Sequence, residues 1–144
     1  MPHTPRTRRA RRHRIATLML AATSLTPLCA AHAAQPVVEI IAFAHPPVQS
    51  ALKPLRDWLA AQGAQVKVVE IDMETPAGEK RLQAVGVTGH VPVVVLIDGR
   101  HRHKREDGGA VDFVSFPAGS GTPSGVRGSW STADVEAVLK PRLK

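Results

Sequence analysis

Four histidines are the side chains in this sequence that are best suited to chemistry. They are His45, His90, His101 and His103. Neutral imidazole is a common ligand of copper and zinc. A metal site is therefore one hypothesis, formed by His45 with His90 if the fold brings them together, or by His101 with His103 on one face of a strand. Met73 could add a soft sulfur ligand to the first pair, and no other cofactor is expected.

The second histidine pair lies in a strongly basic segment, RHRHKRED, at residues 100–107. Arg100, Arg102 and Lys104 alternate with the histidines, and their positive charge disfavours a bound cation. Charged side chains of this kind are typical of an edge strand that resists unwanted pairing. The ribbon at 100–105 could also attract an acidic partner or membrane phosphates. Docking of a structural accessory subunit through this ribbon is therefore a further alternative.

Nucleophilic catalysis is not expected from this chain. The only cysteine is Cys29, which lies in the N-terminal region discussed next. Ser120, Ser124 and Ser129 lie in a Gly/Pro-rich loop, and no recognised motif ties them to a histidine or an acid. The sequence therefore gives no reason to expect an enzyme.

The N-terminal region has the pattern of a secretory signal peptide. Residues 1–14 contain six arginines and no acid, residues 15–28 are an apolar run, and CAAHAA follows at 29–34. The run is shorter than the ~20 residues of a spanning helix. We expect cleavage near Ala33 or Ala34, with an uncleaved anchor as the alternative. The prediction is a periplasmic or secreted protein, exported by the Sec route or, given the paired arginines, by the twin-arginine route.

Removal of residues 1–34 changes the charge of the protein. Six of the 19 basic residues and none of the 12 acidic residues are lost, so 13 basic and 12 acidic residues remain. A net charge of +1 gives no indication of nucleic-acid binding. Residues 35–144 suffice for one domain without a membrane span, which we expect to be a monomer.

Strands and helices alternate along this domain. Near-continuous apolar runs predict buried strands, and apolar residues at helical spacing predict amphipathic helices. The alternation predicts an α/β fold with a mixed central sheet flanked by helices. The predicted elements are a strand at 37–43, a helix at 49–62, a strand at 65–72, a short helix at 75–86, a strand at 91–97, a basic hairpin around 100–116 and a last helix capped by Ser131 and Asp134.

This order of elements, with a proline inside the first helix, resembles the thioredoxin fold. Family members carry Trp-Cys-Gly-Pro-Cys at the turn into that helix, followed by a proline that kinks it. Measured from Pro54, His45 matches the tryptophan, and Pro46 and Gln49 match the two cysteines. The resemblance spans about residues 36–144 and implies the family's sheet, with the basic hairpin as an addition.

The redox machinery of the family is missing from the matching positions. The thiol pair is absent, and Ile40 occupies the position of the buried carboxylate that many thioredoxins carry. Glu39 is adjacent, but the alternation of a strand points it to the other face. Since a thiolate is the nucleophile of thiol–disulfide exchange, the resemblance implies a redox-inactive domain that works by binding.

Val91-Pro92 resembles the dipeptide that carries the family's cis-proline. A cis X-Pro bond costs little and exposes the preceding backbone, which in the family pairs with an extended segment of a partner. The implied partner is a protein or peptide of the cell envelope. A trans proline that only starts a strand is the alternative. The expected binding surface consists of His45, Pro46, Pro47, Gln49, Val91 and Pro92.

Overall fold

A computed structural model describes residues 34–105 and 107–143 of the chain. The predicted signal peptide and Cys29 lie outside the described residues, apart from Ala34. The helices are α1 (Pro46–Gln62), α2 (Pro76–Ala84) and α3 (Thr132–Leu139), with short 3-10 turns at Gly63–Gln65 and Lys140–Arg142. The strands are β1 (Val37–Ala42), β2 (Lys67–Asp72), β3 (Val93–Ile97), β4 (Arg102–Lys104) and β5 (Ala110–Asp112).

The central sheet has three strands in the order β2-β1-β3. β1 pairs in parallel with β2, and α1 makes the connection between these two strands. β1 pairs antiparallel with β3, with Ile40 opposite Val95. The predicted α/β architecture with a mixed sheet flanked by helices is therefore confirmed.

Each face of the sheet has its own apolar core. Ile40 belongs to the larger core, to which α1 and α3 contribute, and Ile41 belongs to the smaller one, which includes Met73. Leu82 and Val85, from α2 and its end, pack against the smaller core. The alternation of β1 explains this division, since successive side chains point to opposite faces.

A tight turn at Asp98-Gly99 leads from β3 into a two-stranded antiparallel sheet made by β4 and β5. Both turn residues have positive φ, 48° and 76°, as a two-residue hairpin turn of type I′ requires. Beyond β5, Phe113 accepts a hydrogen bond from the Val95 amide at 2.9 Å. The chain therefore returns alongside β3 after the ribbon.

A capping box starts α3 and ties it to the ribbon. The Ser131 hydroxyl accepts from the Asp134 amide, and the Asp134 carboxylate accepts from the Ser131 amide at 2.8 Å. Arg105 donates from Nε to Asp134 at 2.7 Å. The hydrogen bond from Arg105 is the main reason that the pKa of Asp134 lies below its ordinary value, and burial opposes it.

Replacing Asp134 with asparagine should reduce stability in a pH-dependent way. Since folding lowers the pKa of Asp134, its contribution is present above the carboxyl's ordinary pKa and is lost as pH falls through the folded value. We expect Asp134→Asn to lower the free energy of unfolding by about 1 kcal/mol at neutral pH. Urea unfolding should show this difference in the free energy of unfolding shrinking as pH falls below the carboxyl's ordinary pKa.

Asp57→Asn is the matched control, because Asp57 is more exposed and forms an i,i+4 pair with Lys53 on α1. Its effect on the free energy of unfolding should be smaller than that of Asp134→Asn at neutral pH. If the difference in the free energy of unfolding between wild type and Asp134→Asn stays constant from neutral pH to acid, folding does not lower the pKa of Asp134.

Candidate functional site

The residues predicted to form the binding turn, His45 to Gln49, are the N-cap and first turn of α1. His45 is the N-cap, and its carbonyl accepts from the amides of Val48 and Gln49 at 3.0 and 3.1 Å. Pro46 and Pro47 are the first two helical residues, where a missing amide proton costs nothing. Both prolines are exposed beside His45.

Gln49 is fully engaged in holding this turn. Its Nε2 donates to the Phe43 carbonyl at 2.7 Å, and its Oε1 accepts from Arg56 Nη1 at 2.8 Å. Arg56 in turn donates to both carboxylate oxygens of Glu70, each at 2.8 Å. Gln49 therefore positions the turn. Arg56 was not predicted as a site residue, although its place seven residues after Gln49 puts it on the same face of α1.

The rings of His45 and His90 both contact Phe43. The Phe43 ring stacks on His45 with centroids 5.2 Å apart and planes 8° apart, and it lies 5.2 Å from the His90 ring at 35°. The exposed His45 Nε2 is 3.4 Å from Glu74 Oε2. Phe43 and Glu74 were also missed, because only the folded sheet brings β1, β2 and the β3 loop together.

Pro92 does not adopt the cis geometry that the family resemblance implies. Every peptide bond in the described part of the chain is trans. The Pro92 carbonyl accepts from the Phe43 amide at 3.2 Å, so Pro92 continues the β1–β3 ladder past its last paired residues. A trans bond allows this because it keeps the chain extended on entry to β3.

The missing amide proton of Pro92 explains why the Phe43 carbonyl accepts from the Gln49 side chain. In an antiparallel pair of this type, each residue donates to the other. Pro92 cannot donate, so the Phe43 carbonyl loses its ladder partner and accepts from Gln49 Nε2 instead. Pro92 thereby connects the sheet to the turn that carries His45.

The backbone of Val91 has no hydrogen-bond partner within the described part of the chain. Val93 accepts from the Ser115 amide at 2.8 Å, but the neighbouring strand ends there. Ser115 has φ of 74°, and its carbonyl accepts from Trp130 Nε1 at 3.0 Å. Val91 therefore lies beyond the last hydrogen-bonded residue on this side of β3, next to the rings of Phe43 and His90.

The histidines of the ribbon are held separately. His101 Nδ1 lies 2.7 Å from Asp112 Oδ1, whereas His103 Nε2 lies 2.9 Å from the Arg100 carbonyl and its ring stacks on Phe113. Burial is the main reason that the pKa of His103 is lowered. Within residues 34–105 and 107–143, no group of three or more His, Cys, Asp or Glu side chains could hold a metal ion.

Comparison with known proteins gives no relative for this chain. No family model, curated protein or solved structure matches it. Within the described ranges, no helix is long and apolar enough to cross a membrane. The function of this chain is therefore inferred from its own geometry.

Proposed function

We propose that residues 35–144 form a redox-inactive thioredoxin-like domain that binds an extended segment of a cell-envelope protein. The contact area is the Phe43 surface, which we define as Phe43, His45, Pro46, His90 and Val91. The observation that carries the proposal is the unpartnered backbone of Val91 beside the stacked rings. An unpaired strand segment next to specific side chains is the arrangement that strand addition uses.

The sheet supports the family assignment. A parallel β1–β2 pair joined by a helix, with β3 antiparallel on the other side of β1, is the central part of the sheet that the thioredoxin resemblance implies. Pro54 lies inside α1, eight residues after Pro46. These features agree with the spacing from which the resemblance was drawn.

The residues at the redox positions support binding without thiol chemistry. Pro46 and Gln49 stand where the family has cysteines, and the amide of Gln49 is engaged at both ends. Ile40, at the position of the family's buried acid, is 0% exposed and packs in the larger core. A partner would therefore be held by non-covalent contacts.

Strand addition would provide affinity for a partner, and the ring contacts would provide sequence selectivity. A partner backbone would pair with the N–H and C=O of Val91, which gives affinity for any extended segment. His45, His90 and Phe43 would contact its side chains and select among sequences. The partner's chemistry is that of an extended polypeptide with an apolar or aromatic residue that packs on these rings.

The double replacement of His45 and His90 by alanine should abolish partner capture. We expect the retained amount of the partner to fall at least tenfold in pull-downs from an envelope extract, since the selective contacts are lost. Both histidines are exposed, so the free energy of unfolding should change by less than about 1 kcal/mol.

The matched control replaces two exposed lysines, Lys53 on α1 and Lys80 on α2, by alanine. This variant should capture the same proteins as the wild type. If the histidine variant retains the same proteins in the same amounts, the Phe43 surface is not the binding site.

A copper- or zinc-binding protein is the second candidate. It is favoured by the contact of His45 and His90 with the same ring and by Glu74 near His45. Cu(II) titration of the wild type and of the same double variant tests it. Tight binding that is unchanged in the variant would exclude the paired-histidine site, and tight binding that is lost would favour the metal function.

A further inference from the structure

An open cleft of about 330 Å³ lies at the other end of β3, away from the Phe43 surface. Ala84 and Val85, at the end of α2, form one wall, and residues 99–102, from Gly99 of the hairpin turn onward, form the other. The remaining lining residues are all basic, and none is a carboxylate: Arg81, Arg100, His101 and Arg102. We propose that this cleft binds a phosphate group, a function separate from peptide binding.

Arg81 is fixed in the cleft by a carboxylate behind it. Its Nε and Nη2 donate to the two oxygens of Glu39 at 2.7 and 2.6 Å, and Nη1 has no described partner. Glu39 lies in the central strand, and its side chain is 14% exposed. An acid in a central strand is costly to bury unless it is paired. The pair therefore orients one guanidinium towards the cleft.

Gly99 gives Arg81 its place against the turn. A Cβ built on Gly99 would stand 3.5 Å from Arg81 Nη2, so the guanidinium lies directly over the turn backbone. The positive φ of Gly99 is the geometry that glycine adopts most readily. The hairpin turn and α2 are thus joined by a basic side chain.

On the other wall, a second carboxylate, Asp112, orients the side chains of His101 and Arg102. Asp112 accepts from Arg102 Nη2 at 3.1 Å and contacts His101 Nδ1 at 2.7 Å. Burial alone would raise the pKa of Asp112, but the hydrogen bonds with His101 and Arg102 lower it below its ordinary value. Asp112 therefore stays ionised at neutral pH. His101 Nε2 and the remaining donors of Arg102 have no described partner.

Arg100 supplies the charge that is least balanced, because it attracts Asp98 only through space. Its guanidinium makes no hydrogen bond or salt bridge with any described residue. The nearest acid along the chain, Asp98, is occupied by the Val37 amide and by Arg142. Three arginines thus face two carboxylates, Glu39 and Asp112, around the cleft. A bound anion would balance the remaining positive charge.

A phosphate group is the anion that fits these donors best. Guanidinium groups bind phosphate through parallel N–H···O bonds, and several of them can share its oxygens. The cleft is larger than phosphate alone and has Ala84 and Val85 on one side. It therefore suits a phosphate monoester or diester with a small substituent that contacts this apolar wall.

An NMR titration with inorganic phosphate at constant ionic strength tests the proposal on the wild-type domain. We expect saturable shifts of the amides of Ala84, Val85 and residues 99–102. Arg100→Gln, an exposed change that should leave folding intact, should weaken binding about tenfold. Lys53→Gln on α1 is the control and should leave binding unchanged.

A second arm distinguishes a soluble phosphate compound from a lipid headgroup. Cosedimentation with phosphatidylglycerol vesicles, compared with phosphatidylcholine vesicles, measures headgroup binding. Saturable phosphate binding without vesicle binding assigns a soluble ligand. Arg100-dependent binding to phosphatidylglycerol vesicles assigns the headgroup. Shifts that match those of sodium chloride, together with vesicle binding that Arg100→Gln does not alter, would overturn the proposal.

Discussion

Replacing Gly128 with alanine is expected to destabilise the domain by about 3 kcal/mol, at the upper end of the range for an overpacked site. A Cβ at this position would overlap the backbone of Pro117 and Ala118, with the Pro117 carbonyl oxygen 2.5 Å away. Backbone atoms cannot move aside as the end of a flexible side chain can. Urea unfolding of the variant measures the loss.

Gly109→Ala is the control for this change. Its nearest neighbour would be the flexible side chain of Asp107, 3.0 Å from the new Cβ, and its φ is not positive. We expect a loss below about 0.5 kcal/mol there. If Gly128→Ala costs no more than Gly109→Ala, the close approach of Gly128 to Pro117 is wrong.

Replacing Trp130 with alanine should cost about 3–5 kcal/mol, the usual range for a buried tryptophan. The residue is 1% exposed, and its ring meets Phe113 edge-on at 5.6 Å and 62°. Its Nε1 also donates to the Ser115 carbonyl, which would be left without that donor. The cost thus combines a cavity with a lost hydrogen bond.

Two further replacements separate these contributions in denaturant unfolding. Trp130→Phe keeps most of the packing and removes only the donor, so its cost should be intermediate. Trp58→Ala removes a half-buried ring at the edge of the same core and should cost less than Trp130→Ala. An equal loss for Trp58→Ala and Trp130→Ala would contradict the central position of Trp130.

Local patterns predicted much of the fold. The cap of α3 by Ser131 and Asp134 was confirmed, because it depends on residues close together in sequence. The opposite orientations of Glu39 and Ile40 were also confirmed, since strand alternation is a local property. The assignment to the thioredoxin fold and the binding function remain predictions.

Boundaries and long-range contacts were harder to predict. α1 begins at Pro46, three residues earlier than predicted, because two prolines suit the first helical positions. β3 begins at Val93 rather than Val91, because Ser115 turns away and leaves Val91 without a neighbour. The pair of Arg81 with Glu39 spans 42 residues, and no local pattern indicates it.

The trans geometry of Pro92 changes how the site would work. With the Pro92 carbonyl engaged by Phe43, Pro92 offers no free backbone group there, whereas Val91 has no hydrogen-bond partner among the described residues. The proposed pairing is therefore shorter than the family resemblance implied, and the rings of His45 and His90 must contribute more to selection.

Amide hydrogen exchange of Val91 measures the proposed strand pairing itself. The protein captured in the pull-downs is added to the labelled domain, and exchange is compared with Val68, which lies on the outer edge of β2 in the described sheet. We expect the Val91 amide to exchange at least about tenfold more slowly when the partner is bound, with Val68 unchanged. Protection of Val68 without any change at Val91 would rule out pairing at Val91 and place the binding site at the edge of β2.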